Sequence, residues 1–349
     1  MSTPASPNPA ETPTETTRPD PAIVALGGGH GLYATLSAVR RLSEKVTAVV
    51  TVADDGGSSG RLRAELGVVP PGDLRMALSA LSGEAVEQQV WTETVQHRFG
   101  GTGALAGHSV GNLILAGLTE VTGDIVTALD MLGRVLDVRG RVLPMSPIPL
   151  DIEADVSGLE SDPRVSRCIR GQVAVATTPG KVRRVRLIPA DPPACTPALD
   201  AVCEADLVVL GPGSWFSSVI PHVLVPDLHE ALLHTKALKV LVLNLAAEPG
   251  ETAGFSAERH LHVLAQHAPD FRVDHVVVDA ASVPEGSERE HLCRSAARFG
   301  AQASFVDVAE TGTHRHDPAK LAVALETCLS SRAGLAAARG DGREIVSWL

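Results

Sequence analysis

"AIVALGGGHGLYATLSAVRRL", residues 22–42, opens on an apolar run, breaks into glycines and resumes with Leu32, Leu36, Val39 and Leu42 at helical spacing. That order predicts strand, tight turn, helix. An apolar run with no polar alternation suits a strand covered on both faces, the opening unit of a parallel sheet. The texture recurs at "VTAVVTVA" (46–53), "DLVVLGPG" (206–213), "KVLVLNLA" (239–246), "DHVVVDA" (274–280) and "ASFVDV" (303–308), with helices expected at 256–267 and 288–299. Residues 73–137 predict mostly helix. "GQVAVATTPGKVRRVRLIP" (171–189) sets two β-like runs about a Pro-Gly turn, which predicts a β-hairpin attached to the main sheet with Arg183, Arg184 and Arg186 on its solvated face. The expected fold is α/β: a Rossmann-like, doubly wound, mostly parallel sheet with a helical insertion and a β-hairpin.

Composition narrows the function classes. At 349 residues and 44% hydrophobic, the chain can bury a sizeable core. Residues 1–20, rich in Pro, Thr, Ser and Glu, cannot offset their ordering entropy by burial and are expected to be a disordered tail. A nucleotide-binding domain over 21–330 and a weakly patterned C-terminal extension over 331–349 follow. With 30 basic against 41 acidic residues the formal charge is -11, which argues against steering of nucleic acid. No run reaches the roughly 18 to 20 apolar residues of a membrane span, and no secretory h-region follows Met1, so a cytoplasmic location is expected. Cys168, Cys195, Cys203, Cys293 and Cys328 lie at irregular spacings with no CxxC pair, as spectator thiols of a reducing compartment. His260/His262 and His314/His316 share a face only in a strand, and their surroundings read as helix and loop, so they are not assigned as metal ligands.

In open α/β sheets, ligands sit beyond the carboxyl ends of the strands, where loops enter helices with free N–H groups. Gly27, Gly28, Gly29, His30 and Gly31 occupy such a turn after the first strand. In the GxGxxG frame starting at Gly27 the last position is Leu32, so neither NAD nor FAD is expected. Gly180-Lys181 lacks the upstream glycine of a P-loop. Gly211, Gly213 and Ser214 supply a second glycine-rich strand end. Asp54 and Asp55 close the second strand and lead into Gly56, Gly57, Ser58 and Ser59, read as a loop. Such a carboxylate pair can serve Mg²⁺ or a ribose hydroxyl, or cap a turn with one member solvated. Arg61 and Arg63 are candidate phosphate contacts. Asp73 reads as a helix cap, and His108 and Ser109 mark a helix start. Asn112 and Asn244 interrupt apolar patterns where a core would prefer Leu, which marks them as candidate ligand contacts.

Taken together, "GGGHGLYATLSAVR", "VTAVVTVADDGGSSGRLR", "PPGDLRMAL", "GHSVGNLILAGL", "LGPGSWFSSVIP" and "NLAAEPGET" resemble the YvcK branch of the CofD-like superfamily, the gluconeogenesis factors. The resemblance implies a Rossmann-like core that binds UDP-sugars such as UDP-N-acetylglucosamine. It also implies a cytoplasmic role in cell shape and cell-wall precursor supply during gluconeogenic growth, a protein partner that reads the bound state, and homodimerisation. The sister branch is a Mg²⁺-dependent transferase that moves a phospholactyl group onto a deazaflavin precursor, and here "GGSSGRLRAELGVVPPGDLR" stands where that branch holds the deazaflavin. The alternatives are thus a nucleotide-sugar binding factor and a Mg²⁺-dependent transferase acting on a diphosphate or phosphodiester. The motifs contain no nucleophile beside a base, and only His30 and His108 as histidines, which favours the binding factor.

Overall fold

In a computed structural model of the chain, the described residues are 20–340 except Pro163 and Pro249; the expected tail lies outside them apart from Asp20, and so do residues 341–349 of the expected extension. The chain runs β1 (Ile23–Gly27), α1 (Gly29–Val39), β2 (Val46–Val50), α2 (Gly57–Leu66), α3 (Gly72–Leu81), α4 (Val86–Gln96), α5 (Val110–Thr122) and α6 (Ile125–Val135). Then come β3 (Arg141–Pro144), β4 (Asp151–Ser157), β5 (Ser166–Arg170), α7 (Gln172–Ala176), β6 (Lys181–Ile188), α8 (Thr196–Glu204) and β7 (Leu207–Leu210). A π-helical turn (Trp215–Val219) and a 3-10 turn (Ile220–Leu224) lead into α9 (Pro226–His234) and β8 (Leu238–Val242). Last are α10 (Ala257–His267), β9 (His275–Asp279), α11 (Ser287–Arg298), β10 (Gln302–Val306) and α12 (Pro318–Gly340).

Seven strands form one sheet in the order β10-β9-β8-β7-β1-β2-β3. Every neighbouring pair in it is parallel. All five residues of β1 and all four of β7 are buried, as strands covered on both faces require. The chain builds outward from β1 to β2 and β3, then returns to place β7 on the other side of β1. The loops after β1 and β7 therefore flank the point where the winding reverses, and a crevice opens between them. No helix among the described residues is long and apolar enough to cross a membrane. The described cysteines are free, with Cys195 and Cys328 buried.

Two local expectations are corrected. Residues 171–189 are not a hairpin on the main sheet: Gln172–Ala176 is helical, and β6 pairs with β4 in a separate antiparallel sheet of order β5-β4-β6. The cause is remote. Asp55 Oδ1 accepts the Val173 N–H at 2.9 Å, capping a helix start that has no capping side chain of its own. Arg186 on β6 is spoken for by Glu153 and Asp155 on β4. The "GGSSGRLR" segment is likewise a helix, α2, rather than a loop. Ser59 Oγ accepts the Gly72 N–H at 3.0 Å and so ties the start of α2 to the start of α3.

Candidate functional site

The crevice between the β1 and β7 loops is a cavity of about 900 Å³, walled by His30, Gly31, Gly213, Asn244 and the 310–318 loop and floored by Arg75. Sterics force the two glycine loops together. A Cβ on Gly31 would stand 2.2 Å from the Pro212 carbonyl oxygen and 2.6 Å from Gly213 Cα, so only glycine permits this approach. Thr35 Oγ1 donates to the Gly211 carbonyl at 2.9 Å and locks α1 onto the second loop. Asn244 clamps that loop from the other side: its Oδ1 accepts from Gly213 N at 2.9 Å and its Nδ2 donates to Gly213 O at 3.0 Å. Each polar end of Asn244 thus makes one bond to this backbone.

The helix starts that the sequence marks as anion sites already carry carboxylates of the chain itself. Asp73 does not cap its own helix; it reaches across to the Gly29 N–H at the start of α1. Gly28 makes room for it, since a Cβ there would lie 2.6 Å from Asp73 Oδ2. Burial and the neighbouring Asp54 carboxylate push Asp73 up to about 7. After β7, Glu251 accepts from Phe216 N at 3.2 Å and is 2% exposed. Its other oxygen is buried without a partner, and burial beside Glu248 pushes it up to about 7. Ser214 bonds to Glu248.

Raised carboxylates have a measurable consequence. From about pH 4 to about pH 7, folded Glu251 holds a proton that the unfolded chain has released, so its contribution to stability falls as pH rises through that window. His222 and His316, both pushed down to about 4 by burial, act oppositely there. The comparison is therefore with Glu251→Gln, which does not titrate: its stability relative to wild type is expected to rise between about pH 5 and about pH 8 in urea melts. A constant difference would place the Glu251 titration outside that range.

Asp54 and Asp55 diverge although adjacent. Asp54 Oδ1 accepts the Gly56 N–H at 2.9 Å, and its other oxygen faces Gly72 at the start of α3, on the side of Asp73. Asp55 turns to α7. The carboxylates that meet are Asp54 and Asp73, beside the start of α1. Hard oxygen donors of this kind suit Mg²⁺ completed by waters and ligand phosphate oxygens. Among the described residues no group of three or more His, Cys, Asp or Glu is arranged to hold a metal ion. Gly27 packs against Leu32, and Gly57 begins α2. Arg61 and Arg63 are engaged within the protein, by the Ala106 carbonyl at 2.7 Å and by Asp151 respectively.

Sequence reasoning passed over Arg75. It lies in α3, 3% exposed, with Nη1 buried and unpartnered at the cavity. Burial, with Arg98 adding like charge, pulls its guanidinium down to about 10 and outweighs the nearby Asp73 carboxylate, which acts the other way. Asn112, the polar break in α5, is what orients it: Arg75 Nε donates to Asn112 Oδ1 at 2.9 Å. Asn112 Nδ2 donates to Ser58 Oγ at 3.0 Å, which leaves the Ser58 hydrogen for His108 Nδ1, also at 3.0 Å. Gly111 admits the guanidinium stem, because a Cβ there would lie 2.8 Å from Arg75 Cδ. The signal was available: a charged residue one turn before Leu78, on the buried face of "DLRMALSAL".

Comparison with known proteins agrees with this architecture. The family model described as 2-phospho-L-lactate transferase CofD matches residues 23–314. A Mycobacterium leprae protein named "Putative gluconeogenesis factor" is 69% identical over 306 residues, 88% of this chain and 85% of that protein. The Bacillus subtilis "Gluconeogenesis factor" is 38% identical over 276 residues, 79% of this chain and 84% of its own. A crystal structure of a UPF0052 family member from Bacillus halodurans superposes with a TM-score of 0.78 at 34% identity, covering 88% of this chain and 99% of that one. A family match over residues 23–314, with relatives aligned along most of both chains, makes this chain a member of the CofD family, grouped with its gluconeogenesis factors.

Proposed function

We propose that the crevice binds a nucleotide diphosphate sugar of the UDP-N-acetylglucosamine type, and that a protein partner reads the bound state in the cytoplasm to adjust cell-wall precursor supply and cell shape during gluconeogenic growth. The observation that carries the binding step is Arg75. A buried guanidinium with an unpartnered Nη1, held beside a second arginine at the floor of a cavity, is a demand for an anion. A diphosphate meets that demand with fixed charge and several acceptor oxygens. The volume of about 900 Å³ lies in the roughly 300–1,000 Å³ range of small-molecule pockets, room for base and sugar on either side of the phosphates. Because Asp73 and Glu251 occupy the helix starts, the arginines, rather than the glycine N–H groups, supply the charge. Titration calorimetry with UDP-N-acetylglucosamine is expected to show one saturable site per chain. No heat of binding at millimolar ligand would overturn this reading.

A second reading, a Mg²⁺-dependent transferase, draws on the meeting of Asp54 and Asp73. The chemistry a Mg²⁺ held there would supply is neutralisation of charge on a leaving diphosphate. Asp54 and Asp73 would hold it, and Arg75 would orient the phosphates. Under this reading ligand affinity rises with Mg²⁺ and Asp54→Asn removes that rise; affinity indifferent to Mg²⁺ in both proteins excludes it.

A further inference from the structure

We propose that Tyr33 is the base platform of this crevice, its ring stacking against one face of the bound nucleotide's base. The inference rests on the nucleotide-sugar reading of the site and deepens it, by assigning the end of the ligand that the arginines do not hold. Tyr33 is the single tyrosine of the chain. It stands in the second turn of α1, lines the cavity and is 41% exposed. Its backbone carbonyl accepts from Ser37 Oγ at 2.8 Å. Among the described residues, its hydroxyl has no hydrogen bond and its ring has no aromatic or guanidinium neighbour stacked on it.

The core does not need this ring. α1 buries Leu32, Leu36 and Val39, and Tyr33 falls outside that stripe, where an amphipathic helix ordinarily carries a polar residue. Ala34 beside it and Met76 on α3, both half-buried, line the same cavity, and α1 packs on α3. The α1–α3 side of the crevice therefore joins an apolar, partly aromatic surface to the guanidinium of Arg75. A nucleotide has the same division, with fixed charge on its phosphates and an aromatic plane beyond the ribose. The opposite wall is polar, and its carboxylates Glu248 and Glu310 suit the hydroxyl donors of a sugar. A base has two apolar π-faces and gains by covering an exposed aromatic ring, whereas a sugar is ringed by hydroxyls that call for polar partners.

Titration calorimetry of wild type, Tyr33→Ala and Tyr33→Phe with UDP-N-acetylglucosamine and UDP tests this. Alanine removes the ring and, as the strongest helix former, keeps α1 intact; phenylalanine keeps the ring and removes only the hydroxyl. Tyr33→Ala is expected to weaken both ligands by the same factor, about 10-fold, because both carry the base. Tyr33→Phe retains most of the affinity that alanine loses, since stacking uses the face of the ring. A fall for UDP-N-acetylglucosamine alone puts the ring under the sugar, and equal losses in the two variants assign the contact to the hydroxyl. Either result, or unchanged affinities in Tyr33→Ala, overturns the proposal while wild-type binding keeps the site reading intact. Wild type binding neither ligand removes the site reading and this proposal together. Should the Ala variant melt below the assay temperature, Tyr33→Leu carries the same comparison.

Discussion

Arg75→Met is expected to weaken UDP-N-acetylglucosamine binding by about 100-fold or more, with the melting temperature staying close to wild type. The two halves of that result have separate causes. A charge-assisted bond from a desolvated guanidinium to phosphate is worth several times a solvent-exposed one, and methionine offers no substitute. Stability, by contrast, has opposing contributions. Met removes a guanidinium that is buried beside Arg98, and burial of such a charge is costly in the ligand-free protein. Against that, Asn112 Oδ1 loses its donor, at about 1–3 kcal/mol. Arg75→Lys should fall between wild type and Met in affinity, since lysine keeps charge but cannot hold Asn112 and a phosphate together with one planar fork. Calorimetry and thermal melts decide the matter. Unchanged affinity in the Met variant would move the phosphates away from α3, and a matching collapse of stability would make Arg75 a structural pillar.

Gly31→Ala is expected to be strongly destabilising and to damage the crevice directly. Its Cβ would stand 2.2 Å from Pro212 O and 2.6 Å from Pro212 C, both backbone atoms that no rotamer change can move. Relief requires separating α1 from the β7 loop, which Thr35 ties to it and Asn244 anchors from the other side. Overpacking of this kind costs about 1–3 kcal/mol, and rigid backbone on both sides places this site at the upper end. Ligand affinity should fall with it, because the separation distorts the cavity wall. Gly117→Ala is the comparator. Gly117 sits inside α5, exposed, with no atom within 4 Å of its added Cβ, so the same change there should stabilise by about 0.5–1 kcal/mol. Urea denaturation of the two variants should move in opposite directions. Equal, small shifts would mean that the β1 and β7 loops can separate freely.

Much of the fold was legible because its causes are local. Five strands after the first were placed by apolar runs, and the helices at 257–267 and 287–298 by periodicity, since a strand covered on both faces and an amphipathic helix write their burial into neighbouring residues. The hairpin at 171–189 failed for the opposite reason: "VAVA" is β-like in isolation, and the carboxylate that turns it into a helix comes from Asp55, 118 residues earlier. "GGSSGRLR" failed likewise. Its glycines and serines read as loop, but Ser58 and Ser59 are buried and hydrogen-bonded to the starts of two other helices, α5 and α3.

The sequence by itself determined six of the seven strands of the main sheet, though not β3, together with the two glycine loops at its centre and the carboxylates after β2, because steric demand and apolar periodicity act over a few residues. Which of these groups lines the crevice was decided only by tertiary structure. Asn112 and Asn244, both marked as ligand contacts, also hold the protein together, one orienting Arg75 and the other clamping Gly213 at the cavity wall. Asp73 and Glu251 fill the helix starts that sequence offered to a phosphate. Arg75 acquires an unpartnered atom only once folding has stripped water from it. Desolvation is a property of the closed structure: a polar side chain becomes a binding group when every other partner has been used or excluded, and those partners lie far away along the chain.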